Sequence, residues 1–130
     1  MNTDLDIALK DSAFKLWDGD YAVLKVDDKE VKTDYFMISK DSEETTLILS
    51  DKYYYEYSPF EEEKWFKLIE IKVSVPFQIV GFLAAISTAV ANEGLTILIV
   101  STFSKDYVLV RKETVNTVIH VLKKLGLTEL

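Results

Sequence analysis

Within six residues the sequence gathers Ser101, Thr102, Ser104 and Asp106, with the aromatic Phe103 among them. Asp106 is the carboxylate of this stretch. A carboxylate takes a ligand cation through charge-assisted hydrogen bonds, and neighbouring hydroxyls add donors and acceptors. Earlier in the chain, the run SVPFQIVG sets Pro76 where a helix begins. Proline has no N–H and starts a helix without strain. The backbone N–H groups of Val75, Phe77, Gln78 and Ile79 are then unpaired first-turn donors, suited to an anion such as a carboxylate. Gly81, lacking a side chain, permits close approach of a ligand or of another backbone. Each feature also has a local reading. Ser101 and Thr102 serve turn chemistry at a strand end, Asp106 fixes a turn, and Gly81 lets a helix pack tightly.

Other chemistry is poorly supplied. There is no Cys, which excludes a thiolate zinc site, and a single His makes a histidine-rich metal centre or a Ser/His/Asp triad hard to assemble; no cofactor is expected. Gly-rich phosphate loops and the Gly-x-Ser-x-Gly and His-Glu-x-x-His motifs are absent. Asp18 with Asp20, and Asp27 with Asp28, lie in turn-like segments without the spacing of a calcium loop. The aromatic run Tyr53-Tyr54-Tyr55-Glu56-Tyr57 sits among acids, which favours sheet packing over base stacking. His120 reads as a helix-edge residue.

The 130 residues carry 15 Lys plus Arg against 22 Asp plus Glu, a net charge of -7 that opposes binding to nucleic acid or anionic lipid. The charge is uneven. Residues 1–70 hold 18 acids and 9 bases, and residues 71–130 hold 4 acids and 6 bases. This predicts an acidic N-terminal half and an apolar C-terminal half, packed together because no Pro/Gly/Ser-rich linker divides them. With only 4 Gly and 2 Pro against 48% hydrophobic residues, order is expected almost throughout. The N terminus has no basic region leading into an apolar run, so no signal peptide is expected, and the cytoplasm is the default compartment. From Val73 to Asn92 no residue is charged, which imitates a membrane span. Pro76, Gln78, Ser87, Thr88 and Asn92 interrupt it, and Glu93-Gly94 ends it as a C-cap does. A buried helix from Pro76 to Asn92 is expected instead, with Ile79, Leu83, Ile86 and Val90 as its apolar stripe.

Short runs rich in β-branched and aromatic residues predict strands over Tyr21–Val26, Tyr35–Ser39 and Thr45–Ser50. Residues 58–63 read as a short helical turn, with glutamates at the positive end of its dipole. Trp65–Val73 alternates apolar residues with Lys67, Glu70 and Lys72, slipping once, and reads as a strand. Leu95–Ser101 and Tyr107–Arg111 are two more. Val115, Val118, Ile119, Leu122 and Leu125 then mark a helix over 113–124 that stops at Gly126. From Trp65 onward the order is β, α, β, β, α, a ferredoxin-like βαββαβ unit without its last strand. The N-terminal strands are expected to complete that sheet edge or to form a second small sheet.

The segment from Trp65 to Leu127, above all VPFQIVGFLAAIS and ILIVSTFSKDYVLV, resembles tandem ACT-like proteins, including the CASTOR arginine sensors and the regulatory domains of aspartate kinases. WDGDYAVLKV and YFMISKDSEETTLILS resemble the family's first half less specifically. The resemblance implies an α+β, ferredoxin-like ACT fold of two packed subdomains, over residues 1–63 and 64–130. It implies a regulatory homodimer of the cytoplasm that is not an enzyme. Its partner would be a small molecule, an amino acid in the first place, bound by Val75, Phe77, Gln78, Ile79, Gly81, Ser101, Thr102, Phe103, Ser104 and Asp106. An amino acid fits the groups already named, its carboxylate at the helix start and its ammonium at Asp106. The other open readings are a ligand-free dimerisation module of the same fold and, more remotely, a small enzyme using Asp18 and Asp20.

Overall fold

The computed structural model describes residues 3–73 and 80–130. In chain order its elements are α1 (Thr3–Asp11), β1 (Ala13–Leu16), β2 (Tyr21–Val26), β3 (Met37–Lys40), β4 (Thr45–Ser50), α2 (Asp51–Tyr54), β5 (Glu61–Lys72), α3 (Phe82–Ala91), β6 (Ile97–Ser101), β7 (Asp106–Arg111), α4 (Val115–Leu125) and β8 (Thr128–Glu129). They form two compact units, Asp18–Lys67 and Met1–Trp17 with Leu68–Leu130. The fold is mixed α+β, as the alternating and helical patterns require.

In the unit Asp18–Lys67 the strand order is β3-β4-β2-β5, and each pair of neighbours is antiparallel. Strand, turn, strand, strand, helix, strand is the ferredoxin-like sequence of elements with both helices cut to single turns, at Asp28–Glu30 and at α2. Period-two alternation fixes the core. Ala22 faces Leu49 and Leu24 faces Leu47 across the β2–β4 ladder, and all four are buried with Val26 and Tyr57. Two local expectations are corrected here. The helical turn falls at 51–54, where Ser50 Oγ accepts from the Lys52 N–H at 3.2 Å, so the tyrosine run belongs to a helix and the turn after it. Glu61, Glu62 and Glu63 are strand, paired with Lys25, Leu24 and Val23. Cross-strand pairing outweighs the dipole argument for a helix there.

In the other unit β7 pairs with both β6 and β5. The second half of β5 pairs with β1, and β1 with β8. The missing last strand of the βαββα order is thus replaced beside β5 by N-terminal β1, and β2 to β4 pair along the first half of the same β5 instead of forming a second sheet. The short β8 runs parallel to β1 at its far edge. One apolar core joins Ala8 and Leu9 of α1, Phe14 of β1, Ile69 and Ile71 of β5, Val108 and Val110 of β7, and the inner faces of α3 and α4.

On α3 the buried stripe is Phe82, Ile86 and Val90, at steps of four, with Leu83 half-buried. Of the expected stripe, Ile86 and Val90 are buried and only Leu83 yields its place to Phe82; Ile79 lies outside the described residues. Helix α4 buries Val118, Val121 and Leu122 and ends at Gly126, whose φ is 118°. The Gly126 N–H donates to Lys123 O and the Leu127 N–H to Leu122 O, closing the orphan carbonyls of the last turn. Among the described residues no helix is long and apolar enough to cross a membrane.

Candidate ligand site

The turn between β6 and β7 is built by its own side chains. Ser101 and Asp106 are the last register partners before the turn of the hairpin, and Ser101 Oγ donates to Asp106 Oδ1 at 2.5 Å. The Thr102 N–H donates to Lys105 O at 2.9 Å. The Lys105 N–H returns the bond to Thr102 Oγ1 at 3.2 Å. Two polar residues thereby lock the four-residue turn, which leaves Phe103 fully exposed at its tip.

Beside this turn, where β5 ends and α3 begins, lies a cavity of about 580 Å³. Its walls include Ser101 to Asp106, Glu70, Lys72 and Leu83. The turn residues named from sequence therefore line one concave space, and Asp106, steadied by Ser101, keeps its second oxygen for another donor. Gly81 is not among the lining residues. It is the N-cap of α3 with φ 86° and ψ 2°, and a Cβ there would meet only Leu5 at 3.8 Å. Its left-handed backbone accounts for glycine at this position. Val75, Phe77, Gln78 and Ile79 lie outside the described residues.

Three charged groups of the cavity were not foreseen. Glu70 is only 4% exposed. Its Oε1 accepts from Trp17 Nε1–H at 3.1 Å. Its Oε2 stands 3.6 Å from Lys105 Nζ and 3.8 Å from Lys72 Nζ. Trp17 is braced in turn by an edge-on contact with Tyr107, ring centroids 6.0 Å apart. A signal for this cluster does exist in the sequence. Glu70 sits inside the run Leu68 to Ile71, where the alternation slips and all four residues are buried. A buried carboxylate requires counter-charge or donors.

A second polar cluster lines a groove of about 410 Å³ at the β3–β4 turn. Asp28 Oδ2 lies 2.5 Å from Lys40 Nζ and Asp28 also accepts from Thr45 Oγ1. Hydrogen bonds from Lys40 first and Thr45 second hold its carboxyl below the usual range. Asp41 is likewise lowered by the N–H groups of Glu43 and Glu44. These bonds shape the β3–β4 turn. Among the described residues no group of three or more His, Asp or Glu is arranged to hold a metal ion. His120 lines a further groove with Ala89, Asn92, Glu93 and Lys124.

Residues 61–124, from β5 through most of α4, match the ACT domain family. No curated protein matches the chain. Among solved structures, a protein of unknown function from Vibrio cholerae, titled a possible transport protein, has the same fold with TM-score 0.84. That match covers 95% of this chain and 96% of the other at 22% identity. A protein from Agrobacterium tumefaciens matches with TM-score 0.73 at 16% identity, over 92% of each chain. The regulatory subunit of aspartate kinase from Thermus flavus matches with TM-score 0.62 at 12% identity, over 88% of this chain and 95% of the other.

Proposed function

Because residues 61–124 are an ACT domain, we propose that the chain is a regulatory module whose cavity beside the β6–β7 turn takes a small amino-acid ligand, and that it catalyses no reaction of its own. The observation that carries this reading is the pair Ser101–Asp106, a carboxylate held at 2.5 Å by a hydroxyl on the wall of a cavity of about 580 Å³. Cavities of roughly 300–1,000 Å³ with a few convergent polar groups are the usual form of small-molecule sites. The Asp106 carboxylate takes the ligand's ammonium, with Ser104 a further hydroxyl nearby. Donors for its α-carboxylate would come from the N–H groups of residues 75, 77, 78 and 79, ahead of α3. Ligand binding then shifts the chain between two states by its differential affinity for them. The setting is the cytoplasm, with neither nucleic acid nor membrane as a partner.

A thermal-shift screen of the whole chain against the twenty amino acids tests this. A ligand at about 100 times its Kd adds about 2.7 kcal/mol, a rise of several degrees for a protein of this size. Asp106→Ala should fold and lose that rise. Flat curves across the panel, or an Asp106→Ala response equal to the parent's, would overturn the reading.

One observation favours a second reading, a ligand-free dimerisation module. Strand β6 pairs with β7 and presents Leu98 and Ile99 to solvent, 45% and 36% exposed. An apolar edge strand is a template for pairing with a second copy. Sedimentation that depends on concentration, is abolished by Leu98→Lys and is indifferent to every amino acid would support it.

A further inference from the structure

We infer that the end of the cavity at Lys72 and Lys105 is an anion subsite, so that the ligand is an amino acid with an acidic side chain; this rests on the amino-acid reading of the same cavity. Three features of the geometry lead there. The first is the position of Glu70. It projects from β5 between the buried Ile69 and Ile71, and its Oε1 is fixed by the indole N–H of Trp17 at 3.1 Å. The remaining oxygen faces two ammonium groups, at 3.6 and 3.8 Å. Both distances exceed a hydrogen bond. The carboxylate therefore draws both lysines to one spot without using their donors, and among the described residues neither Nζ donates elsewhere.

The second feature is the order in which a ligand meets these charges. The side chains of Lys105 and Lys72 are 51% and 48% exposed, whereas that of Glu70 is 5% exposed. An entering group reaches the ammoniums first and the carboxylate only after displacing them. A cationic side chain meets two like charges, and an amide can bond but gains no Coulomb attraction. A carboxylate takes charge-assisted hydrogen bonds from both lysines. Asp106, the residue after Lys105 and held by Ser101, is left for the α-ammonium.

The third is the charge of the unit that holds the cavity. Residues 1–17 and 68–130 carry eight acids and eight bases, so the whole excess of -7 belongs to Asp18–Lys67. An anionic ligand does not enter a unit of net negative charge, and screening over about 8 Å at physiological salt weakens more distant repulsion.

The test is titration calorimetry on the full chain with isosteric pairs, aspartate against asparagine and glutamate against glutamine, with lysine and arginine as cationic probes. At least one acidic member should bind about tenfold tighter than its amide, the scale of one charge-assisted hydrogen bond, and the preference should shrink as salt rises. Lys105→Met keeps the alkyl stem and should bring the acid-to-amide ratio close to one by weakening the acid far more than the amide; Lys72→Met is the second variant. Trp17→Phe, which releases Glu70, should lower the same ratio, identifying Trp17 as a positioning residue. If a neutral or basic amino acid binds best, depends on Asp106 and ignores Lys105→Met, the anion subsite is wrong and the amino-acid site stands. If no amino acid of the panel binds, both readings fall.

Discussion

Ser101 and Asp106 face each other across the β6–β7 ladder, and the hydroxyl of the first holds the carboxylate of the second at 2.5 Å. A polar pair at the turn end of a hairpin next to a cavity orients a charged group for an incoming donor. Ser101→Ala leaves Asp106 free to rotate while keeping its charge. We expect ligand affinity about tenfold weaker in Ser101→Ala and lost in Asp106→Ala, with both variants within a few degrees of the parent Tm, since both sites are at a surface turn. Calorimetric titration beside a melting curve separates the two effects.

Trp17→Phe keeps the ring that packs on Tyr107 but removes the donor to Glu70 Oε1. A buried acceptor left without its donor costs about 1–3 kcal/mol, which urea unfolding resolves. Combining it with Glu70→Met removes both polar partners, and the double variant should be more stable than the sum of the two single losses.

Gly126 and Gly94 both have positive φ, at 118° and 75°. At Gly94 a Cβ meets nothing within 4 Å, whereas at Gly126 it would lie 3.2 Å from Lys10 Cγ and 3.4 Å from the Lys10 backbone. Gly94→Ala should cost roughly 1–2 kcal/mol, the left-handed backbone penalty alone. Gly126→Ala adds a tight contact between the end of α4 and α1, to which Lys10 must give way by a few tenths of an ångström, and should lower Tm further. Equal shifts in the two variants would show that the contact with α1 yields without cost.

The bonds from Lys40 and Thr45 that lower the Asp28 carboxyl link stability to acidity. A carboxyl lowered in the folded state stabilises it above the unfolded value, near 4, and loses that contribution as pH falls through the folded value. In Asp28→Asn the decline of stability below about pH 4 should be shallower than in the parent. The slope between pH 5 and 8 should be unchanged. Chemical unfolding at a series of pH values measures both.

Much of this architecture was written in local pattern. The β-rich runs placed β2 and β4, which the structure pairs with Ala22 and Leu24 against Leu49 and Leu47. The helical spacing from Val115 to Leu125 and the glycine after it determined α4 and its end. The ββ turn with its hydroxyls and Asp106 was legible for the same reason: hairpin partners are close in sequence, so their spacing already states that they meet. Within the apolar run after Val73 a helix forms from Phe82, and Ile86 and Val90 of the expected stripe are buried, but Phe82 takes the inner place expected of Leu83. In a segment apolar on nearly every side, only the surface it packs on decides which face turns inward.

What the tertiary structure alone decided is long-range. Helix α1 and strand β1 carry too short and weak a pattern to declare themselves, and they gain their place by pairing with β5 some sixty residues away. Glu61 to Glu63, suited to a helix start by local charge, became strand because β2 lay alongside to pair with them. Glu70 is the sharpest case. A glutamate between two isoleucines fits either face of an alternating strand, solvated or buried. Its burial follows from what lies across the sheet, and its partners come from β1's end at Trp17 and the distant turn at Lys105. Local composition fixes which groups are available, but an ion cluster inside a fold is defined by distances between segments, and those exist only once the chain has closed on itself.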